Sequence, residues 1–290
     1  MRNNTHKVKE EDKWTEVITP RRGLFDIKLE ELWRYRDLIA IFIKRDFVAI
    51  YKQTVLGPLW LFLQPIFTSL VFFFVFTKVA RLPTDGIPPI LFYMSGITMW
   101  TYFSDCFVKT SNVFVSNAHI FGKVYFPRLA TPLSIVMSNL LKLLIQLTLL
   151  LIFMIGFYSS GKLSVYPNWT LVLLPFLICL MALLGLGMGI IFSSLTTKYR
   201  DLAFLIQFGI QLLMYSTPVI YPLSSTGGKL RTALTLNPLT GILETFRYSL
   251  FGQGVFDPML LLYCLGFTFV TLFFGIIIFN QVDRSFMDTV

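Results

Sequence analysis

Residues 156–162 come nearest to a known chemical motif. Two glycines and a lysine follow the GxxxxGK spacing of a phosphate-binding loop, in which backbone N–H groups and the lysine hold nucleotide phosphates. That motif requires Ser or Thr at the next position to bind magnesium, and position 163 is leucine. The segment also ends an apolar run and leads to Pro167, without the strand and helix that the loop needs. We therefore expect no nucleotide here, and if ATP drives this protein, a separate chain must bind it.

Lys142 is the charged residue whose position is most informative. A charge near the middle of a bilayer costs about 2.5–3.5 kcal/mol on insertion scales, so such residues usually face a protein interior or a wet cavity. Ser134, Ser138 and Gln146 share its four-residue spacing, which places these side chains near one helical face. The stripe indicates either a polar pathway or a structural role, in which Lys142 reaches the headgroups or pairs with Asp105.

Metal and nucleophile chemistry have little support in the sequence. His6 and His119 are too few and too separate to form a metal site, and no Ser-His-Asp arrangement is evident. The three cysteines lie in apolar runs without CxxC spacing. We expect no catalytic residue, no metal and no disulfide, and no cofactor bound by this chain.

The composition indicates a polytopic membrane protein made of helices. The chain has 290 residues, of which 55% are hydrophobic and 14% charged, and its mean hydropathy is +0.68. Soluble domains carry about a quarter charged residues, and runs of about 20 apolar residues indicate transmembrane helices. The net charge of +9 does not point to nucleic acid, because twelve of the 25 Lys and Arg residues precede Val55. A basic segment before the first span is typical of a cytoplasmic N-terminus.

The hydropathy pattern predicts six spans with both termini in the cytoplasm. A polar tail over 1–27 precedes an amphipathic region over 28–55, which we expect to lie in the membrane interface; an ordinary cytoplasmic helix is the alternative. Gly57 and Pro58 allow the chain to turn there into the first span. The predicted spans cover about 56–79, 90–108, 132–157, 169–195, 202–221 and 259–280, and a tail over 281–290 follows.

Two shorter patterns predict local structure. Gly185 and Gly189 form a GxxxG pair, which is typical of closely packed membrane helices. Residues 237–252 read as a helix with Asn237 as the N-cap, proline at the first position and Gly252 at the C-terminal stop. This helix is too short to cross the bilayer, and we expect it on the outer face, where it could close a pathway. Its apolar face, which Glu244 and Arg247 interrupt, consists of Leu239, Ile242, Leu243, Phe246 and Leu250.

Several short motifs together resemble the permease subunits of ABC transporters that export O-antigen and related polysaccharides. In order along the chain they are RYRD at 34–37, KRD at 44–46, YKQTVLGPLW at 51–60 with Gln64-Pro65, KVYFPR at 123–128, YRD at 199–201 and NP at 237–238. Each is weak alone, but their order is specific, and the likeness runs over nearly the whole chain from residue 24 onward.

The resemblance implies an assembly in the inner membrane. Two copies of this chain would pair with two copies of an ATPase subunit, which would bind the ATP and magnesium. The coupling segment that docks on the ATPase would contain Asn117, His119, Ile120, Phe121, Gly122, Lys123, Val124 and Tyr125, and a second inner turn would contain Tyr199, Arg200 and Asp201. Residues 222–257 would form an outer gate, with Leu239, Ile242, Phe246 and Arg247 among its members.

The resemblance also implies a substrate, a glycan on undecaprenyl pyrophosphate that is threaded from the cytoplasm to the periplasm. The channel would be partly lined by aromatic residues; our candidates for its lining are Tyr93, Trp100, Phe103, Lys142 and Gln146. As our own hypothesis from charge and position, Arg36, Arg45 and Lys52 would meet the pyrophosphate at the inner entrance.

Other functions stay open at the level of sequence. Relatives in the same family export teichoic acids or capsular polymers, and the glycan itself cannot be read from the residues. A membrane-embedded sugar transferase would also be basic and aromatic. Such an enzyme needs acidic or histidine residues at the membrane face, where the loops between the spans on the inner side offer only His119 and Asp201.

Overall fold

The computed structural model describes residues 29–52, 54–124, 126–163, 168–199 and 201–289, and over these it is all-helical. Side chains are described at these positions except 29, 50, 51 and 283–289. The predicted tail over 1–27 and the predicted site residues Tyr125 and Arg200 lie outside the described residues.

Two helices precede the first apolar run, and Tyr35 separates them: α1 (Leu29–Arg34) and α2 (Arg36–Tyr51). The helices that follow are α3 (Trp60–Phe72) with a π-helical continuation (Phe73–Val79), α4 (Pro89–Ser111), α5 (Val113–Phe121), α6 (Ala130–Ser159), α7 (Leu174–Lys198), α8 (Leu202–Tyr215), α9 (Gly228–Thr235), α10 (Pro238–Phe251) and α11 (Pro258–Thr289).

Four helical stretches in the described part of the chain are long and apolar enough to cross a membrane. They are Gly57–Val79, Ala130–Ser159, Trp169–Lys198 and Pro258–Val282. The protein is therefore a multi-pass membrane protein. The other two predicted spans coincide with α4 and α8. α4 has 23 residues but contains Asp105, Lys109 and many hydroxyl groups, and α8 has only 14 residues.

The position of α4 explains its polar composition. It packs along α6 and α7, and every residue of 91–100 is buried. Its serine and threonine side chains therefore meet protein instead of hydrocarbon, and Ser95 donates to the carbonyl oxygen of Phe92. A helix enclosed in this way needs no continuous apolar surface, and its two charged side chains find partners on α6: Asp105 pairs with Lys142, and Lys109 donates to Asn139.

Glycines let α7 approach two helices closely. A Cβ added at Gly189 would lie 2.6 Å from Cβ of Thr110 on α4, and one at Gly185 would lie 2.9 Å from Cβ of Cys106. On another face, a Cβ at Gly187 would lie 3.1 Å from the backbone N of Leu272 on α11. The predicted close packing at the GxxxG pair is confirmed, because there is no room for a larger residue.

The chain enters its first span through a left-handed residue. Gly57 has φ of 53°, a conformation that costs other residues about 1–2 kcal/mol. Pro58 follows in a short 3₁₀ turn, and α3 begins at Trp60. The bend expected at Gly57 and Pro58 is therefore present, and it joins α2 to Gly57–Val79.

Candidate functional site

An aromatic cluster lies beneath α5, at the end of the molecule that the sequence predicts to be cytoplasmic. We call this end the inner end and the opposite one the outer end. The inner aromatic cluster consists of Phe42, Phe114, Phe121, Phe126 and Phe279, all buried, from α2, α5, the segment before α6, and α11. The ring centroids of Phe114 and Phe279 are 5.0 Å apart, and those of Phe42 and Phe126 are 5.7 Å apart. The rings of α5 thus contact α11 and the segment before α6, and that segment in turn contacts α2.

The opposite side of α5 and the turn after it are exposed. We call this the α5 docking surface and define it by Val115, His119, Gly122, Lys123 and Val124, all exposed. Val115 is 48% and Val124 58% exposed. Of the other predicted coupling residues, Asn117 and Phe121 are buried and Ile120 is intermediate.

The second predicted inner turn is short and exposed. Tyr199 and Asp201 lie at the surface between α7 and α8, and the Lys198 ammonium lies 5.2 Å from the Tyr199 ring centroid. The hydroxyl of Thr196 in the last turn of α7 donates to the carbonyl oxygen of Ser111 at the end of α4. The inner ends of α4 and α7 are therefore joined.

The structure does not bring the three predicted pyrophosphate-binding residues together. Arg36 and Lys52 lie at opposite ends of α2, about 24 Å apart along the axis at a rise of about 1.5 Å per residue. All three side chains are exposed, and Arg45 Nη2 lies 2.8 Å from an oxygen of Asp46. Arg45 alone reaches a cavity, which is described below.

The predicted channel-lining aromatics pack inside the single chain. Tyr93 and Phe103 are fully buried in α4, and Trp100 is 7% exposed. The rings belong to the main hydrophobic core and face no open surface. Gln146 of α6 is also buried.

Lys142 pairs with Asp105, as one reading of the sequence anticipated. Its Nζ lies 2.9 Å from Oδ2 of Asp105, and both side chains are mostly buried between α6 and α4. One turn nearer the inner end, Nζ of Lys109 donates to Oδ1 of Asn139 at 2.9 Å. These two contacts form a polar ladder between antiparallel helices.

At the outer end, α10 has the predicted boundaries. The Asn237 side chain accepts a hydrogen bond from the backbone N–H of Leu239, and Gly252 ends the helix in a left-handed conformation with φ of 68°. The predicted cap and stop are confirmed. The helix itself is enclosed, because all four predicted gate residues are buried: Leu239, Ile242, Phe246 and Arg247.

Arg247 ties α10 to the chain between α8 and α9 and to α4. Its Nη1 donates to the carbonyl oxygen of Pro218, and its Nη2 donates to those of Val219 at 2.9 Å and Phe92 at 3.4 Å. The guanidinium carbon lies 3.7 Å from the Phe92 ring centroid. We call this arrangement the Arg247 tether. The side chain is 1% exposed, so its charge is stabilised by these carbonyl groups, the ring and Glu244.

Glu244 and Asn237 extend the same connection. Oε1 of Glu244 lies 3.7 Å from Nη1 of Arg247 and accepts the backbone N–H of Leu223 at 3.2 Å. Burial raises the pKa of the Glu244 carboxyl, against the opposing effect of Arg247, and burial lowers the pKa of Arg247 to about 10. Nδ2 of Asn237 donates to the carbonyl oxygen of Ser216. Three side chains at α10 therefore hold residues 216–223: Asn237, Glu244 and Arg247.

Sequence reasoning missed the tether as such. It treated Glu244 and Arg247 as interruptions of an apolar helical face. The signal in the sequence was their spacing. An acidic and a basic residue three positions apart lie on the same side of a helix and can form an ion pair there, even when the helix is otherwise apolar and buried. The carbonyl groups that Arg247 binds lie 28 to 155 residues away in sequence, so no local pattern identifies them.

Comparison with known proteins decides the family. The family model for ABC-2 type transporters matches residues 37–251. The chain belongs to the ABC-2 type transporter family. The family match includes α2 to α10 and therefore both the α5 docking surface and the Arg247 tether.

Curated relatives of this ABC-2 family chain carry export names. It is 30% identical to O-antigen export system permease protein RfbA of Klebsiella pneumoniae, over 87% of this chain and 94% of the relative. It is 27% identical to RfbA of Myxococcus xanthus, over 90% of this chain and 98% of the relative. Polysialic acid transport protein KpsM of Escherichia coli is 22% identical, over 80% of this chain and 88% of the relative. These comparisons confirm the resemblance inferred from the motifs.

Proposed function

We propose that this chain is the transmembrane subunit of an ATP-driven exporter that moves undecaprenyl-pyrophosphate-linked O-antigen polysaccharide from the cytoplasm to the periplasm. The observation that carries the proposal is the similarity, over 87% to 90% of the chain, to permeases named for O-antigen export. In this proposal the chain transports and does not catalyse. A separate ABC ATPase binds ATP and magnesium and hydrolyses the nucleotide.

The exposed face of α8 supports an assembly with a second copy. This helix makes few contacts with the rest of the chain, and Phe204, Phe208 and Tyr215 are exposed on the same side as Gln207 and Gln211. Glutamine amides facing hydrocarbon lack hydrogen-bond partners, which favours a wet passage or a partner helix next to this face. In our proposal two copies face each other across α8. At this face, the aromatic rings of α8 stack on sugar rings, and the glutamine amides bind sugar hydroxyl groups. The α8 rings thus take the channel-lining role that the sequence had suggested for the buried rings of α4.

The proposed topology has six spans in the inner membrane, with both termini in the cytoplasm. α4 serves as a span because other helices shield it from lipid. α8 is extended toward the outer side by the irregular residues 216–221, which are tolerated at membrane depth where they are enclosed by protein. The concentration of Lys and Arg before Val55 supports the orientation.

The α5 docking surface is our candidate for the contact with the ATPase. Its exposed valines offer an apolar contact, and Lys123 offers a charge. The inner aromatic cluster links that surface to α2 and α11, and the bond between Thr196 and Ser111 joins α7 to α4. A movement imposed on α5 by nucleotide binding would therefore reach the helices that cross the membrane. At the outer end, α9 and α10 act as the gate. The Arg247 tether links α10 to residues 216–223, so the two parts move together.

The proposal is tested by affinity purification of the chain from its native membrane in mild detergent. We expect an ABC ATPase subunit to accompany it, with measurable ATP hydrolysis. Val124→Glu places a charge on the docking surface and should abolish the association, whereas Lys229→Glu on exposed α9 should leave it intact. Purification of the chain without any ATPase, or equal behaviour of the two variants, would contradict the proposal.

Export of a capsular polysaccharide is the second candidate, because one relative is named for polysialic acid transport. Its identity to this chain is 22%, below the 27% to 30% of the O-antigen permeases. Analysis of which surface polysaccharide disappears when the chain is depleted distinguishes the two.

A further inference from the structure

A cavity of about 820 Å³ opens among the inner ends of four helices. We call it the inner cavity. Its polar wall comes from α2, α4, α5 and α6 and includes Arg45, Lys109, Asn112, Ser116, His119 and Ser138. Its volume is in the range of small-molecule sites, which is about 300–1,000 Å³.

Four hydrogen-bond donors in the inner cavity keep unused capacity. Lys109 has three donor protons and gives one to Asn139. Arg45 uses Nε and Nη2 on Asp46, which leaves Nη1 free. The Ser116 hydroxyl and the His119 imidazole have no side-chain partner among the described residues. These donors come from three helices, so a ligand between them would be held from three sides.

The charges facing the cavity are the cations Arg45 and Lys109, the anion Asp46 and the titratable His119. Asp46 balances Arg45, so Lys109 supplies the excess positive charge. Arg and Lys donors bind phosphate oxygens through short, charge-assisted hydrogen bonds. Asn112 donates to the carbonyl oxygen of Val108 and to the Ser111 hydroxyl, and Asn117 gives one of its two amide protons to the carbonyl oxygen of Val113. The basic groups therefore dominate the selection of the ligand, because hydrogen bonds from charged donors to phosphate are stronger than those from neutral amides.

The remaining wall and the position of the cavity fit a lipid. Ala49, Val108 and Ile135 add apolar surface beside the basic groups. Ile135 and Ser138 lie in the first three turns of α6, a helix long enough to cross the bilayer, and Lys109 lies in the last turn of α4. Phosphate headgroups lie at this level, just outside the hydrocarbon core.

We infer that the inner cavity binds the phosphate group of a membrane lipid, with Lys109, Arg45, Ser116 and His119 as donors. The phosphate belongs either to a bulk anionic phospholipid or to the pyrophosphate of a lipid-linked glycan. The second source rests on the proposed function, and the first does not. The inference replaces the dispersed set of Arg36, Arg45 and Lys52 with residues that share one cavity.

The test is lipid binding to the purified full-length chain, measured by native mass spectrometry in a neutral detergent. Three probes are titrated: phosphatidylglycerol, undecaprenyl pyrophosphate, and diacylglycerol as the phosphate-free control. We expect one or both phosphate lipids to bind more tightly than diacylglycerol. Lys109→Gln and Arg45→Gln should each weaken that binding about tenfold. Lys44→Gln is the matched control, because Lys44 is an exposed cation on α2 that does not line the cavity.

The outcomes separate the two lipid sources. If the substitutions weaken the binding of undecaprenyl pyrophosphate alone, the cavity is a substrate site. If they weaken the binding of phosphatidylglycerol as well, the cavity is a general headgroup site. Ser116→Ala provides a milder variant if Lys109→Gln fails to fold. Unchanged affinity in Lys109→Gln, Arg45→Gln and Ser116→Ala, or an equal loss in Lys44→Gln, would overturn the inference. Surface polysaccharide is measured separately, so a chain that exports normally without headgroup selectivity refutes this inference and leaves the proposed function standing.

Discussion

Replacing Gly96 by alanine tests the Arg247 tether directly. The added Cβ would lie 2.5 Å from Nη2 of Arg247 and 3.1 Å from the carbonyl oxygen of Val219, where ordinary contacts begin at 3.4 Å. The guanidinium must therefore move by nearly 1 Å, or α4 must shift away from α10. Nη2 bonds to Val219 at 2.9 Å and to Phe92 at 3.4 Å, and a movement of that size breaks both.

The expected cost follows from these contacts. A hydrogen bond to a charged group contributes about 1.5–3 kcal/mol, and overpacking a well-filled interior costs about 1–3 kcal/mol. Either the hydrogen bonds of Arg247 break or the interior is overpacked, so the two costs do not add. We therefore expect Gly96→Ala to lower the free energy of unfolding by about 2–3 kcal/mol. The matched control is Gly266→Ala on α11, where an added Cβ meets nothing within 4 Å. Alanine has fewer accessible backbone conformations than glycine in the unfolded chain. The control should therefore be neutral or stabilise the protein by up to about 1 kcal/mol.

Denaturant unfolding of the purified chain in detergent measures both variants. A double variant, Gly96→Ala with Arg247→Met, isolates the mechanism, because a shorter uncharged side chain removes the 2.5 Å contact with Nη2 and leaves only the milder contact with Val219. Arg247→Met alone should cost about 3–5 kcal/mol, since it leaves Glu244 buried without its partner. Adding Gly96→Ala to Arg247→Met should cost clearly less than Gly96→Ala costs in the wild-type chain, since only the 3.1 Å contact with the carbonyl oxygen of Val219 remains. Strict additivity of the two changes, or equal effects of Gly96→Ala and Gly266→Ala, would refute the account of the tether.

Three further predictions concern the rest of the scaffold. Gly189→Ala should destabilise the chain by about 1–3 kcal/mol, because its Cβ would lie 2.6 Å from Cβ of Thr110. Gly209→Ala is the control, since an added Cβ there meets open space. Equal denaturant midpoints of the two variants would contradict the prediction. Asn237→Ala should lower the free energy of unfolding by about 1–2 kcal/mol, because it removes the α10 cap and the hydrogen bonds to Ser216 and Thr217. Protease cleavage within 216–223 should increase in this variant. Unchanged cleavage would contradict a link between Asn237 and that segment. Lys142→Met should cost about 1–3 kcal/mol, and Asp105→Leu in addition should restore most of the loss; a double variant no more stable than the single one would exclude a structural ion pair.

Local patterns in the sequence predict the parts of this fold that depend on neighbouring residues. Asn237, Pro238 and Gly252 mark the ends of α10 because caps and stops are set by the backbone within one turn. Gly185 and Gly189 predict a close helix contact because a missing side chain is useful only where another backbone approaches. The family resemblance is likewise carried by short motifs, and the comparisons confirm it.

Properties that depend on distant partners could not be predicted in this way. Tyr93, Trp100 and Phe103 suit a channel wall and a packed core equally well by composition, and only the neighbours of α4 place them in the core. The sequence predicts α4 as one span among six, and only the structure shows that α6 and α7 enclose it. The inner cavity joins residues 45 to 138 from four helices, so no spacing along the chain reveals it.

Polysaccharide export is measured in the native host by depleting the chain and quantifying polysaccharide on both sides of the inner membrane. If the chain is the export permease, surface O-polysaccharide disappears while undecaprenyl-pyrophosphate-linked glycan accumulates on the cytoplasmic side, and the wild-type chain restores export. Normal surface polysaccharide without intracellular accumulation would contradict a role in export.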